Sequence, residues 1–415
     1  MRASDVFKPG TFPTFTYVSR KAENSLSYEQ RLEEALDTPG FLTSIVGSSK
    51  SGKTVLCEKV IGADRIILLT GADFRSGLDF WDVVARKLGL PLEIAFTESA
   101  GDQAQGSINA TTGVRAIFHG SVNAGSSVTS TFGESTTSRQ ATFKDLVINK
   151  FLSQDLVLVL DDFHYVPTEM RMQIAYQLKD AIRQELKAVI VSLPHRADDA
   201  IRENPDLNGR MSFINIEPWS ISELEEIPAK GFFELRVQIP RADITRIASE
   251  SLTSPQLAQN ICLNLARVIG VDDSQVVNFE SKHLLNAFHR TTLNTSYADV
   301  VQVISTGPPT RGQRRMQYTV GDKRIDVYGL ILTAITIDPP IISISGEKLR
   351  ERMESLIEAG QRIDRNRVSD TLKQIQALLQ DRPSLYQVME WKDDKLYILD
   401  PYFLFYLRWT QAYGG

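Results

Sequence analysis

The feature that most constrains this chain is the run Gly47, Ser48, Ser49, Lys50, Ser51, Gly52, Lys53 and Thr54. It sits between an apolar stretch over 41–46 and a helix-compatible stretch over 55–61. A glycine, four free positions, a second glycine, a lysine and a hydroxyl residue, in a strand–loop–helix setting, describe a loop that cradles phosphate. The glycines permit backbone conformations that turn successive N–H groups toward one anion. A helix starting near Gly52 adds the positive end of its dipole. In such a loop Lys53 is placed to reach the β- and γ-phosphate oxygens, and the Thr54 hydroxyl to ligate Mg2+. The expectation is a site for ATP and Mg2+ that runs from Gly47 to Val55.

Composition sets the outer limits. At 415 residues the chain exceeds the size at which one core keeps growing, so two or three domains are expected. A net charge of -5 excludes the wholesale basic character of a nucleic-acid coat and leaves local basic patches open. Cys57 and Cys262 lie far apart among apolar neighbours, as buried thiols of a reducing compartment do. No apolar run approaches the ~20 residues of a membrane span, and residues 1–9 lack the apolar centre of a signal peptide. A soluble, cytoplasmic protein with no membrane partner is expected.

Residues 1–26 carry Pro9, Gly10 and Pro13 among Phe12, Phe15, Tyr17 and Val18, the make-up of an extended arm that docks its aromatics. A core is expected over 27–220. Its first helix lies near 28–36, and strands over 65–70, 156–160, 188–191 and 211–216 alternate with helices over 78–88, 143–152, 170–186 and 197–203. Short continuous apolar runs suit strands of a parallel sheet buried on both faces, and the alternation predicts an α/β fold. Within the core, 97–142 is dense in Gly, Ser and Thr and can bury little apolar surface. It reads as an insertion, either a tolerated surface loop or an interaction loop. Helical patterns over 222–226, 242–249, 255–269 and 282–294 predict a helical lid over 221–304. A Gly/Pro-rich linker over 305–325, with Arg311, Arg314 and Arg315 clustered, leads to helices over 326–335, 346–359 and 367–380. Strands over 386–390 and 395–399 follow, separated by Trp391, Lys392, Asp393 and Asp394. Three helices and then a hairpin is the order of a winged helix, expected over 326–415.

A triphosphate with Mg2+ needs a carboxylate at the end of a buried strand, and Asp161 stands there behind an unbroken apolar run. Asp162 is placed to orient an attacking water, and His164 either assists it or simply occupies a turn. Two arginines could add positive charge at the γ-phosphate. Arg196 follows the fourth strand, with Ser192 as a polar alternative, and Arg210 precedes the fifth, where a finger into a neighbouring subunit would sit. Either is equally compatible with a solvated surface arginine.

Together the phosphate loop, the Asp161–Asp162 pair, the two arginine contexts, the lid and the winged helix resemble the AAA+/STAND class of P-loop ATPases. The branch of archaeal-type and origin-recognition-type ATPases is nearest. The stretch from Phe15 to Arg20 is similar to the opening motif of STAND proteins, with Ser19 in place of the usual Gly. Thr253, Ser254 and Pro255 resemble the lid turn that touches the nucleotide in that class, and Gln256 stands where many relatives carry a sensor arginine. The run from Ile398 through Asp400, Pro401 and Arg408 to Trp409 is similar to the signature that follows the wing in archaeal-type ATPases. The resemblance implies a P-loop NTPase parallel sheet with helical lid and C-terminal winged-helix domain, acting as an ATP-hydrolysing, oligomeric switch. It also implies a defence or signalling role exercised through a protein effector. The alternative is a DNA-binding ATPase like initiators or transposition helpers. Arg362, Arg365, Lys373, Lys392 and Lys395 would then meet phosphates, although Asp364, Asp370, Asp393 and Asp394 nearly cancel them. The other role of such a winged helix is to pack on the nucleotide domain.

Overall fold

A computed structural model describes residues 1–22, 26–76, 79–90, 144–193, 209–272, 278–293, 296–310, 312, 314–382 and 388–411. The insertion over 97–142, the helix expected over 197–203, Arg196 and Arg311 lie outside the described residues. The chain divides into two compact units, one of Gln30–Val46 and Cys57–Ile214, the other of Met1–Glu29, Gly47–Leu56 and Asn215–Gly415.

The first unit is built on a sheet. Strands β1 (Leu42–Gly47), β2 (Ile66–Thr70), β3 (Val157–Asp161), β4 (Lys187–Ser192) and β5 (Met211–Ile216) are ordered β2-β3-β4-β1-β5. The pairings β1–β4, β2–β3 and β3–β4 are parallel. Val157 to Leu160 and Ala188 to Val191 are buried, as expected of strands covered on both faces. Because β4 lies between β1 and β3, the carboxyl ends of the three strands run side by side, with Val46 beside Ser192 and Leu160 beside Ile190. Ligands of open α/β sheets bind outside such ends. Helices α2 (Tyr28–Asp37), α3 (Lys53–Ile61), α4 (Phe80–Lys87), α5 (144–153) and α6 (Thr168–Arg183) accompany the strands. The core gathers Trp81, Phe151, Phe163, Ile174 and Leu178 against Leu158, Leu160 and Ile190. The indole N–H of buried Trp81 donates to Gln177.

The second unit is mainly helical. Its arm was expected to be extended, but it opens with a four-residue helix, α1 (Ala3–Val6), that delivers Phe7 fully buried against Phe232. The fit depends on Gly231, where a Cβ would stand 2.1 Å from the Phe7 ring. Burial of Val6 and Phe7 in the lid core explains the helical turn, which is too short to leave a periodic signal. The lid consists of α7 (Ile221–Glu234), α8 (Arg241–Glu250), α9 (Pro255–Val268), α10 (Ser281–Leu293) and α11 (Ala298–Thr306). Within the stretch expected to be a linker, β6 (Tyr318–Val320) and β7 (Lys323–Ile325) form an antiparallel hairpin. Three-residue strands carry too little alternation to be read from sequence.

The C-terminal part is a winged helix. It comprises α12 (Val327–Thr336), β8 (Ser343–Ser345), α13 (Gly346–Leu356), α14 (Arg365–Gln380), β9 (Met389–Lys392), β10 (Lys395–Ile398) and α15 (Pro401–Gln411). The strands form an antiparallel sheet ordered β8-β10-β9. Trp391 and Lys392 were expected in the turn, but they pair with Leu396 and Lys395. Asp393 and Asp394, at φ 52° and 57°, make the turn alone. Short polar side chains tolerate the left-handed conformation that a tight hairpin needs. Helix α15 is tied to α8 by an ion pair of low exposure: Arg408 meets Glu250 at 2.7 Å, and the Trp409 indole donates to the same carboxylate at 2.9 Å.

Candidate functional site

The loop that leaves β1 is shaped by close packing at its first glycine. A Cβ on Gly47 would stand 2.9 Å from the Ile216 Cβ, so no larger residue fits. Gly52 adopts φ +92°, which side chains resist. Helix α3 begins directly afterwards, with Leu56 N donating to Gly52 O at 2.9 Å. Loop N–H groups therefore lead into the positive end of a helix.

Lys53 is buried, and its ammonium donates to Gly47 O at 3.0 Å and Ser48 O at 2.7 Å. An anionic oxygen makes a stronger partner for an ammonium than a neutral carbonyl does. The buried Ser51 hydroxyl makes no hydrogen bond among the described residues. A glycine cradle, an ammonium curled into it and an orphaned hydroxyl fit a phosphate group. Thr54, the next residue of α3, offers the hydroxyl suited to Mg2+. Ser48, Ser49 and Val55 are half-buried along the same turn.

The loop is braced by residues far away in the sequence. Trp219 donates its indole N–H to Ser51 O at 2.9 Å. The Arg20 guanidinium lies 4.6 Å from the Trp219 ring and 5.3 Å from that of Tyr28. Arg20 also donates to Glu223 at 2.9 Å and to the carbonyls of Glu217 and Pro218 at 3.0 and 3.2 Å. Glu223 completes a capping box with Ser220 at the start of α7. Burial pushes its carboxyl upward, but the hydrogen bonds from Arg20 and Ser220 outweigh this and hold it below the usual range.

The lid and the C-terminal helix reach the loop as well. Ser254, the N-cap of α9, donates to Lys50 O at 3.3 Å, and Pro255 Cγ lies 3.9 Å from where a Gly52 Cβ would stand. Lys50 itself has φ +59°. Its ammonium meets Asp400 Oδ1 at 2.5 Å and lies 4.4 Å from the Tyr402 ring centroid. Tyr402 donates to Gln256 O at 3.2 Å, and burial raises its phenol pKa.

In the sheet unit, Asp161 closes β3 beside Thr70, and its Oδ1 accepts from Asp162 N at 2.8 Å. Asp162 is exposed and left-handed, at φ 50°. Its carbonyl would lie 2.5 Å from a Cβ on Gly71, so only glycine fits at the end of β2. The side chain of His164 lies outside the described residues. Ser192 is buried at the end of β4, and its hydroxyl has no partner among the described residues. Arg210 is half-buried, and its carbonyl accepts from Leu42 N at 2.9 Å, which fixes its backbone at the start of β5. Sequence reasoning did not anticipate Trp219, Tyr402 or Gly71 at these positions. A serine before Pro255 is a helix-start signal, but nothing local announces what Trp219 or Asp400 touches.

The sheet order, the phosphate loop after β1 and the acid after β3 define a P-loop NTPase α/β fold, here with a winged helix at the C-terminal end. The chain is similar to several solved structures. It is similar to a Walker-type ATPase of Pyrococcus abyssi, at 14% identity over 92% of this chain and 94% of that one, with a TM-score of 0.47. The Cdc6 protein of Pyrobaculum aerophilum is similar at 15% identity over 98% and 97%, with a TM-score of 0.42. The Orc1 protein of Aeropyrum pernix, solved in complex with DNA, is similar at 14% identity over 99% and 96%, with a TM-score of 0.43. No family model and no curated protein sequence matches the chain. Among the described residues, no helix is long and apolar enough to cross a membrane.

Proposed function

We propose that the chain binds ATP with Mg2+ in the Gly47–Thr54 loop, hydrolyses it, and uses the cycle as a conformational switch of the STAND type. The observation that carries this reading is the Lys53 ammonium, held by the loop's own carbonyls beside a Ser51 hydroxyl that has no partner among the described residues. Lys53 would bind the terminal phosphates, and Thr54 and Asp161 would hold the metal. Bound Mg2+ neutralises charge developing on the phosphate oxygens. Asp162 orients the attacking water. Arg196 and Arg210 supply positive charge, Arg210 from a neighbouring subunit of a homo-oligomer. Pro255 brings the lid turn to the nucleotide.

The contacts of α15 with α8 and with Lys50 support a winged helix that packs within its own chain. In the wing, Asp394 is already paired with Arg365 at 2.7 Å, which removes one cation that duplex DNA would use. The output of the switch would then pass to a protein effector, in defence or signalling. A second reading, duplex DNA at the winged helix, is favoured by a groove of about 450 Å³ between α14 and the wing, where Lys373, Lys392 and Trp391 stand beside Asp393 and Asp394. Calorimetry with ATP on wild type and Lys53→Ala tests the first reading, which requires the variant to lose binding; equal affinity would overturn it. ATP turnover measured with duplex DNA across a salt series separates the two, because only the second expects stimulation that fades with salt.

A further inference from the structure

Lys50 occupies a free position of the phosphate-loop pattern, yet its ammonium is held by an ion pair and lies against an aromatic ring. Its partner, Asp400, is 2% exposed and stands 350 positions away, at the start of α15. The carboxylate is nearly saturated. Besides Lys50, its Oδ1 accepts from Tyr402 N at 3.0 Å and its Oδ2 from the Tyr297 hydroxyl at 2.6 Å. Tyr402 also places its ring under the Lys50 ammonium. The Lys50 carbonyl is held separately by Ser254. One residue of the phosphate loop is thus gripped at its backbone by the lid and at its charge by the C-terminal helix.

This arrangement has an electrostatic consequence. A lysine ammonium is a compact point charge with three donors, and in this state a buried carboxylate holds it. Should Lys50 turn toward a phosphate, Asp400 would remain buried without its counter-ion, which is strongly unfavourable. The carboxylate can leave that position only if α15 moves and lets water reach it. We propose that Asp400 and the nucleotide's phosphates compete for Lys50, so that docking of α15 lowers triphosphate affinity and triphosphate binding loosens α15. Asp400 is a positioning residue, acting through Lys50. Reciprocity follows from linkage: the factor by which docking weakens ATP equals the factor by which ATP weakens docking. The inference rests on the reading of the loop as a nucleotide site and adds to it the regulation of that site.

The test is calorimetry of ATP and ADP on the full chain, joined to hydrogen exchange of the amides over 399–408. Asp400→Asn is expected to tighten ATP by roughly tenfold, within the usual range of such couplings. In a Lys50→Met background the same substitution should change ATP affinity by less than about threefold, because the tightening needs the ammonium. ATP should speed exchange over 399–408 in wild type, and Asp400→Asn should show fast exchange without it. Should Asp400→Asn fail to fold, Tyr297→Phe decides. It removes one donor from the carboxylate, weakens docking and should tighten ATP by a few-fold. Unchanged or weaker ATP binding in the folded variant, equal tightening with and without Lys50, or exchange indifferent to ATP would overturn the competition. Wild type that binds neither ATP nor ADP would instead overturn the nucleotide reading.

Discussion

The indole N–H of Trp219 donates to the main-chain carbonyl of Ser51 at 2.9 Å, and the ring that carries it lies 4.6 Å from the Arg20 guanidinium. The N-terminal arm therefore reaches the phosphate loop through one aromatic intermediary. Arg20 itself is buried and spends its donors on Glu223, Glu217 and Pro218. It acts as a strut for Trp219.

Trp219→Phe keeps most of the ring volume and removes the donor, leaving the Ser51 carbonyl without that partner. A lost hydrogen bond of this kind costs about 1 kcal/mol, so ATP affinity should fall by roughly fivefold, along with thermal stability. Calorimetry and a melting curve read both. An unchanged affinity would mean that the loop holds its shape without the indole.

Glu223 supplies a pH dependence whose sign can be worked out. Its folded-state pKa lies below the unfolded value because Arg20 and Ser220 outweigh the cost of burial. The stability it contributes is therefore present above the ordinary carboxylate range and is lost as pH falls through the lower folded value. Urea unfolding of wild type and Glu223→Gln should show the variant weaker near pH 7 and the two curves converging as the pH drops below about 4. Parallel curves would remove Glu223 from the acid response.

Asp162 is exposed in a left-handed conformation that asparagine also adopts readily. Asp162→Asn should leave the turn after β3 intact and remove only the carboxylate. ATP binding should persist while turnover slows by ~10²-fold or more. Wild-type turnover in this variant would transfer the water-orienting role to another residue, with His164 the next to test.

Arg210 has a fixed backbone at the start of β5 and a half-buried side chain. A finger acting in trans predicts that Arg210→Ala is inactive alone and that mixing it with Lys53→Ala restores part of the turnover, since some mixed interfaces carry one intact site. Specific activity should also rise with protein concentration. Normal hydrolysis by Arg210→Ala, or concentration-independent turnover, would rule out the in-trans role.

Much of the sheet is legible in the residues themselves. Strand β5 occupies 211–216, the span expected from its composition. Strands β3 and β4 lie on continuous apolar runs, because a strand buried on both faces has no polar side to break its pattern. The shorter pieces gave no such signal. β6 and β7 are three residues each, with Lys323 and Arg324 exposed, and a helix as short as α1 completes barely one turn. Trp391 and Lys392 were misplaced because a two-residue turn of aspartates sounds no louder in sequence than a four-residue loop.

The run from Gly47 to Thr54 determined by itself that this chain carries a phosphate loop, because every feature the loop needs is contiguous: glycine freedom, a lysine and a helix start. Asp161 and Asp162 stand at the end of β3, behind the apolar run that marks the strand in the sequence. What braces the loop could be decided only by the tertiary structure. The partners of Lys50 and Ser51 lie 350 and 168 positions away, at Asp400 and Trp219. Local propensity acts over a few residues, whereas a buried charge or carbonyl takes whichever partner the packed chain brings within about 3 Å.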